Sequence, residues 1–132
     1  MIALLRLAGV VHLILLAANA ALPDILDFKG ELRKVSPIVR QIFQVHHAYI
    51  MLVLALFAAL CLGFPRELAG ATPLGTFLCG FMAFFWIMRL PIQFFFYDAE
   101  LKRRHRLGHW AFSFAVASIA AVLAAAAVKG VL

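Results

Sequence analysis

Four stretches of about twenty residues, each almost wholly apolar, decide what this chain can become. They fall within residues 2–22, 37–64, 73–97 and 105–128. An α-helix rises about 1.5 Å per residue, so about 20 residues cross the hydrocarbon core of a bilayer. Each run is long enough to do so. Inside lipid a lone segment must satisfy its own backbone hydrogen bonds, and only a helix does that. The expected fold is therefore all-α: an integral membrane four-helix bundle, one transmembrane domain over residues 1–132, with connections at 23–36 and 98–104. Composition agrees. The chain is 66% hydrophobic and 14% charged, whereas a soluble domain is about half apolar and a quarter charged.

The first run ends in "LAANAALPD", whose A-x-A pattern is similar to a signal-peptidase site. Its only leading cation is Arg6 and His12 interrupts the apolar stretch, so the segment reads as a retained helix. Ser36-Pro37 and Thr72-Pro73 each place a capping residue before a proline at the first helical position, which marks two helix starts. Pro91 lies inside the third run and predicts a kink near Arg89. The segment "DILDFKGELRKV" mixes apolar residues with charges and reads as a short amphipathic element at the interface, with Gly30 breaking any continuous helix.

The net charge of +6 raises nucleic acid as a partner. Its distribution argues against that. The connections near 23–41 and 98–106 hold eight cations: Lys29, Arg33, Lys34, Arg40, Lys102, Arg103, Arg104 and Arg106. The opposite side holds three, Arg6, Arg66 and Lys129. The positive-inside rule then puts the basic loops in the cytoplasm and both termini on the non-cytoplasmic side, as in a bacterial inner membrane. Insertion topology and anionic lipid headgroups account for the cations without nucleic acid.

Polar residues within the runs fall on helical faces. Arg40, Gln44 and His47 follow i, i+4, i+7, and Arg89, Gln93 and Tyr97 follow i, i+4, i+8. His105 and His109 stand one turn apart, with Ser113 beyond them. All these positions lie toward the basic loops, which predicts a cytoplasm-facing pocket built from His47, His109, Arg89, Gln93, Gln44, Tyr97, His46 and Arg40. His46 and His47 diverge by about 100° on a helix, so only one enters a given site. His47, continuing the Arg40 stripe, is the better candidate.

Each signal also has a bland counterpart. Arg89 near the boundary can snorkel. "KRRHRLGHW" is also a basic anchor followed by an interfacial tryptophan. His12 and Asn19 are explained by hydrogen bonds between helices. Cys61 and Cys79 form no CxxC and indicate no zinc knuckle.

Three functions compete at this stage. The first is cofactor binding, with b-type haem held between His47 and His109 for electron transfer, or a non-haem metal on His47, His109 and His105. "HRLGH" and "VHHAY" are similar in form to the histidine boxes of membrane desaturases, but the five histidines are too few for such a di-iron centre. The second is an enzyme acting on a lipid or prenyl headgroup, with Arg89 holding an anion and His47 or His109 moving a proton. The third is a structural accessory subunit, in a homo-oligomer or a larger membrane complex, using the small residues of "ASIAAVLAAAAV" to pack. Membrane lipids are partners in all three.

Overall fold

The computed structural model describes residues 1–69, 72–92 and 106–131, and these residues are helical throughout apart from short connections. The order is α1 (Ile2–Ile25), α2 (Phe28–Glu31), a 3-10 turn (Leu32–Lys34), α3 (Pro37–Gly63), α4 (Pro65–Ala69), α5 (Pro73–Pro91) and α6 (Arg106–Val131). Four of these, α1, α3, α5 and α6, are long and apolar enough to cross a membrane. The shortest, α5, has 19 residues, or about 28 Å of rise. Gln93, Tyr97, His105 and the expected 98–104 connection lie outside the described residues.

Both proline-marked starts are where the sequence places them. At Thr72 the cap is complete: its hydroxyl oxygen accepts the Gly75 N–H at 3.0 Å and its O–H donates to the Glu67 carbonyl at 3.3 Å. One side chain thus starts α5 and ties it to α4. At Ser36 the backbone is extended but the side chain makes no capping bond, and α3 begins on Pro37 alone.

The break after α1 is not made by Gly30, which sits inside α2. It is made by Asp27, the one non-glycine residue in the left-handed region among those described, at φ 51°. Its carboxylate accepts the Gly30 N–H at 3.2 Å. A β-carbon at position 30 would collide with that carboxylate. Gly30 is needed for the cap rather than for a break.

The helices pack as two hairpins, α1 with α3 and α5 with α6, joined by contacts of α1 with α6. The buried core runs through Leu5, Ala8, Leu15, Leu54, Phe57, Met82, Trp86, Val116, Ile119 and Leu123. By chain direction this core lies toward the end that holds the termini. In α3 no residue before Leu54 is buried. The exposed apolar side chains Ile38, Ile42, Val45, Ile50 and Leu52 are what a lipid-facing surface requires.

Gly75 lies where α4 crosses the start of α5. A β-carbon there would collide with the Glu67 carbonyl oxygen and stand 2.8 Å from the Thr72 hydroxyl. Backbone cannot swing aside, so Gly75→Ala should cost about 1–3 kcal/mol. Gly63→Ala, with nothing within 4 Å of its β-carbon, should be near neutral. Denaturation midpoints of the two variants in detergent check this, and equal midpoints would show that the crossing yields.

Candidate functional site

Helix α1 continues through Pro23. Proline has no N–H, so it cannot donate to the carbonyl four residues back, and that carbonyl belongs to Asn19. An orphaned carbonyl in a poorly hydrated place is costly. Here the donor comes from the neighbouring helix: His47 Nε2 lies 3.1 Å from the Asn19 carbonyl oxygen. A carbonyl only accepts, so Nε2 carries the proton. Pro23, Asn19 and His47 are one device. The second imidazole of "VHHAY" repairs the first helix.

Around this bond the short α2 and the 3-10 turn fold back over the start of α3. Phe28 packs edge-on against His47 and against Phe43, with ring centroids 5.7 and 5.0 Å away. Arg40 Nε donates to the Leu32 carbonyl at 3.0 Å, which ties the 3-10 turn to α3. Between these parts lies an open cleft of about 410 Å³, lined by Pro23, Phe28, Lys29, Leu32, Arg33, Arg40, Phe43, Gln44 and His47. Its walls are aromatic and aliphatic, while its polar groups are three cations, an amide and an imidazole. Among the described residues, no carboxylate lines it.

Of the residues singled out in the sequence, the cleft gathers Arg40, Gln44 and His47. His46 is exposed, and its Nδ1 sits 2.7 Å from the Ile42 carbonyl of its own helix, pointing away from the site as the helical angle requires. Arg89 lies in the other hairpin, its guanidinium 5.1 Å from the centroid of the Phe112 ring on α6. His109 packs against Trp110, ring centroids 5.2 Å apart, and its carbonyl accepts from Ser113. Neither Arg89 nor His109 lines the cleft. Gln93, Tyr97 and His105 are outside the described residues. Among those described, no three His, Cys, Asp or Glu side chains are grouped as a metal ion would need.

Two features were not read from the sequence. Phe28, Lys29, Leu32 and Arg33 form the second wall of the cleft. The amphipathic pattern of their segment signals an interfacial element, but not what it covers. The other is the partner of His12, whose hydrogen bond between helices the sequence leads one to expect. His12 is fully buried and accepts the Trp86 indole N–H at its Nε2, 2.9 Å away. Its Nδ1–H donates to the Ala8 carbonyl at 2.7 Å. Phe57 closes over it, ring centroid 5.8 Å away. Both nitrogens are thus satisfied and His12 is a core residue that joins the two hairpins. Asn19 Nδ2 donates to the Leu15 carbonyl of its own helix. Cys61 and Cys79 are buried free thiols.

No protein-family model, curated protein or solved structure matches the chain.

Proposed function

We propose that the chain is a small membrane-embedded binding protein. Its cleft between α2, the 3-10 turn and α3 takes the polar end of an amphiphilic ligand whose apolar part lies in the bilayer. The observation that carries this reading is the makeup of the cleft. Phe28, Leu32, Phe43 and Pro23 supply apolar wall, and Lys29, Arg33 and Arg40 supply charge, while apolar side chains of α3 such as Ile38, Ile42 and Val45 are exposed. Apolar walls with a few convergent polar groups are the usual form of a small-molecule site. Binding is favoured over acid–base catalysis. Among the described residues the lining holds one imidazole and no carboxylate, and the imidazole Nε2 is committed to Asn19. The haem reading needs His47 and His109 on one cavity, and no observation brings them together.

The test removes the apolar wall. Phe28→Ala with Phe43→Ala should abolish the amphiphile adducts seen by native mass spectrometry of the purified full chain. The denaturation midpoint should fall only slightly, because both side chains lie outside the buried core. Adducts that persist unchanged in the double variant would overturn the reading.

The proposal includes an orientation, with the basic loops cytoplasmic, supported by the eight-to-three cation bias. Single cysteines at Arg33 and Arg103, in a chain lacking Cys61 and Cys79, should react with an impermeant thiol reagent only from the cytoplasmic side. A cysteine at Arg66 should react only from the other. Labelling of positions 66 and 103 from the same side would overturn the four-span topology.

A further inference from the structure

The geometry points to a terminal phosphate, a phosphomonoester, as the polar end of the ligand held in this cleft. This rests on the amphiphile reading and names the chemistry of the head. The observation is a sorting of charge. Residues 24–34 carry three carboxylates and three cations, so the segment itself has no net charge. The fold separates them. Asp27 is turned onto the Gly30 N–H. Glu31 pairs with Lys34 at 3.2 Å. Neither of these carboxylates, nor that of Asp24, lines the cleft, while Lys29 and Arg33 do and Arg40 joins them from α3. A neutral segment thus contributes two formal positive charges to the lining, and Arg40 brings them to three. Insertion topology asks for cations on this side of the membrane, but it does not ask for their separation from neighbouring acids.

Arg40 is placed to act as a clamp. Its Nε–H is held by the Leu32 carbonyl, which fixes the plane of the guanidinium. Of the five N–H donors of an arginine side chain, four remain for a ligand. Gln44 adds amide donors. A carboxylate or a phosphodiester carries one negative charge. A phosphomonoester carries about 1.5–2 and three strong acceptor oxygens. It alone uses the three cations and the spare donors together. Arg supplies directional pairs of hydrogen bonds to phosphate and Lys a point charge. The cleft has room for a head and the first carbons of a tail, not for whole chains, so the tail passes along α3 into the bilayer.

The experiment uses the full chain in phosphatidylcholine nanodiscs and detergent, titrated with four probes: dioleoyl phosphatidic acid, dioleoyl phosphatidylglycerol, inorganic phosphate and phosphatidylcholine itself. Native mass spectrometry counts the adducts. Phosphatidic acid should bind one per chain, saturably, and about tenfold more tightly than phosphatidylglycerol. Arg33→Gln and Lys29→Gln, at exposed positions whose side chains make no hydrogen bond within the chain, should each weaken that binding about tenfold. Arg40→Gln should weaken it at least as much. Lys34→Gln removes the same charge from the same segment outside the cleft, and should change affinity less than about twofold. Equal binding of phosphatidic acid and phosphatidylglycerol, both sensitive to Phe28→Ala with Phe43→Ala, would overturn the monoester and leave the amphiphile reading standing. Inorganic phosphate competing as strongly as phosphatidic acid would put free phosphate in the cleft and overturn both. So would a Lys34→Gln loss equal to that of Arg33→Gln, since the effect would then be general surface charge.

Discussion

Trp86→Ala is expected to remove about 3–5 kcal/mol of the bundle's stability. The indole is 3% exposed and packs against His12 and Phe85 at ring-centroid distances of 5.5 and 5.0 Å. Its N–H is the donor to a histidine that is itself fully buried. Truncation opens a cavity and strands His12 Nε2 at once. The two effects are separable. Trp86→Phe retains most of the ring but not the donor, and should cost about 1–2 kcal/mol. His12→Leu removes the acceptor. Interhelical hydrogen bonds in membranes average about 0.6 kcal/mol and reach about 1.7, and this one is dry on all sides. A double-mutant cycle over Trp86→Phe and His12→Leu should give a coupling of about 1 kcal/mol. Unfolding titrations in mixed detergent micelles measure all four corners. A coupling indistinguishable from zero would mean that the hairpins are joined by apolar contact alone, and that the buried polar pair contributes nothing to their association.

The spans were legible because the bilayer imposes both their length and their secondary structure. Pro37 and Pro73 fix two helix starts without reference to any other part of the chain. The Arg40, Gln44 and His47 stripe was legible for the same reason, since a helical face is a local property. What covers that face was not. The second wall of the cleft comes from a helix of four residues and the 3-10 turn after it, whose position depends on the left-handed backbone at Asp27 and on a hydrogen bond from Arg40 to Leu32. Neither leaves a periodic trace. The Asn19 and His47 bond shows the boundary between the two kinds of information. Pro23 announces in the sequence that the Asn19 carbonyl lacks its helical donor. Which residue replaces that donor depends on how α1 and α3 are set against each other, and a residue 28 positions away supplies it. His12 and Trp86, 74 positions apart, are further beyond reach. One expectation was misplaced for a local reason. Gly30 looks like a helix breaker by propensity, yet its lack of a side chain serves the Asp27 cap.

Gly9 shows how closely the first hairpin is set, and it gives a prediction graded by side-chain size. It is buried on α1 against α3. A β-carbon built there stands 2.6 and 2.8 Å from Leu62 Cγ and Cδ2, and 3.1 Å from Cys61 Cβ. Leu62 is 37% exposed, so its side chain can swing toward lipid. Gly9→Ala therefore costs less than about 1 kcal/mol, offset in part by the better helix propensity of alanine. Leucine adds three more carbons, and those must displace Cys61 Cβ. That atom is fixed to the α3 backbone, so the helices must separate. Gly9→Leu is then expected to cost about 3 kcal/mol, at the upper end for an overpacked contact. A second readout locates the damage. Cys61 is fully buried and a free thiol. In Gly9→Leu it should react with a membrane-permeant maleimide far faster than in the unaltered chain. Cys79, in the other hairpin with its Sγ 3.6 Å from the Leu68 carbonyl, should keep its rate. Peptide mapping distinguishes the two. If Gly9→Leu is as stable as Gly9→Ala and Cys61 stays unreactive, the contact between α1 and α3 is looser than these distances require.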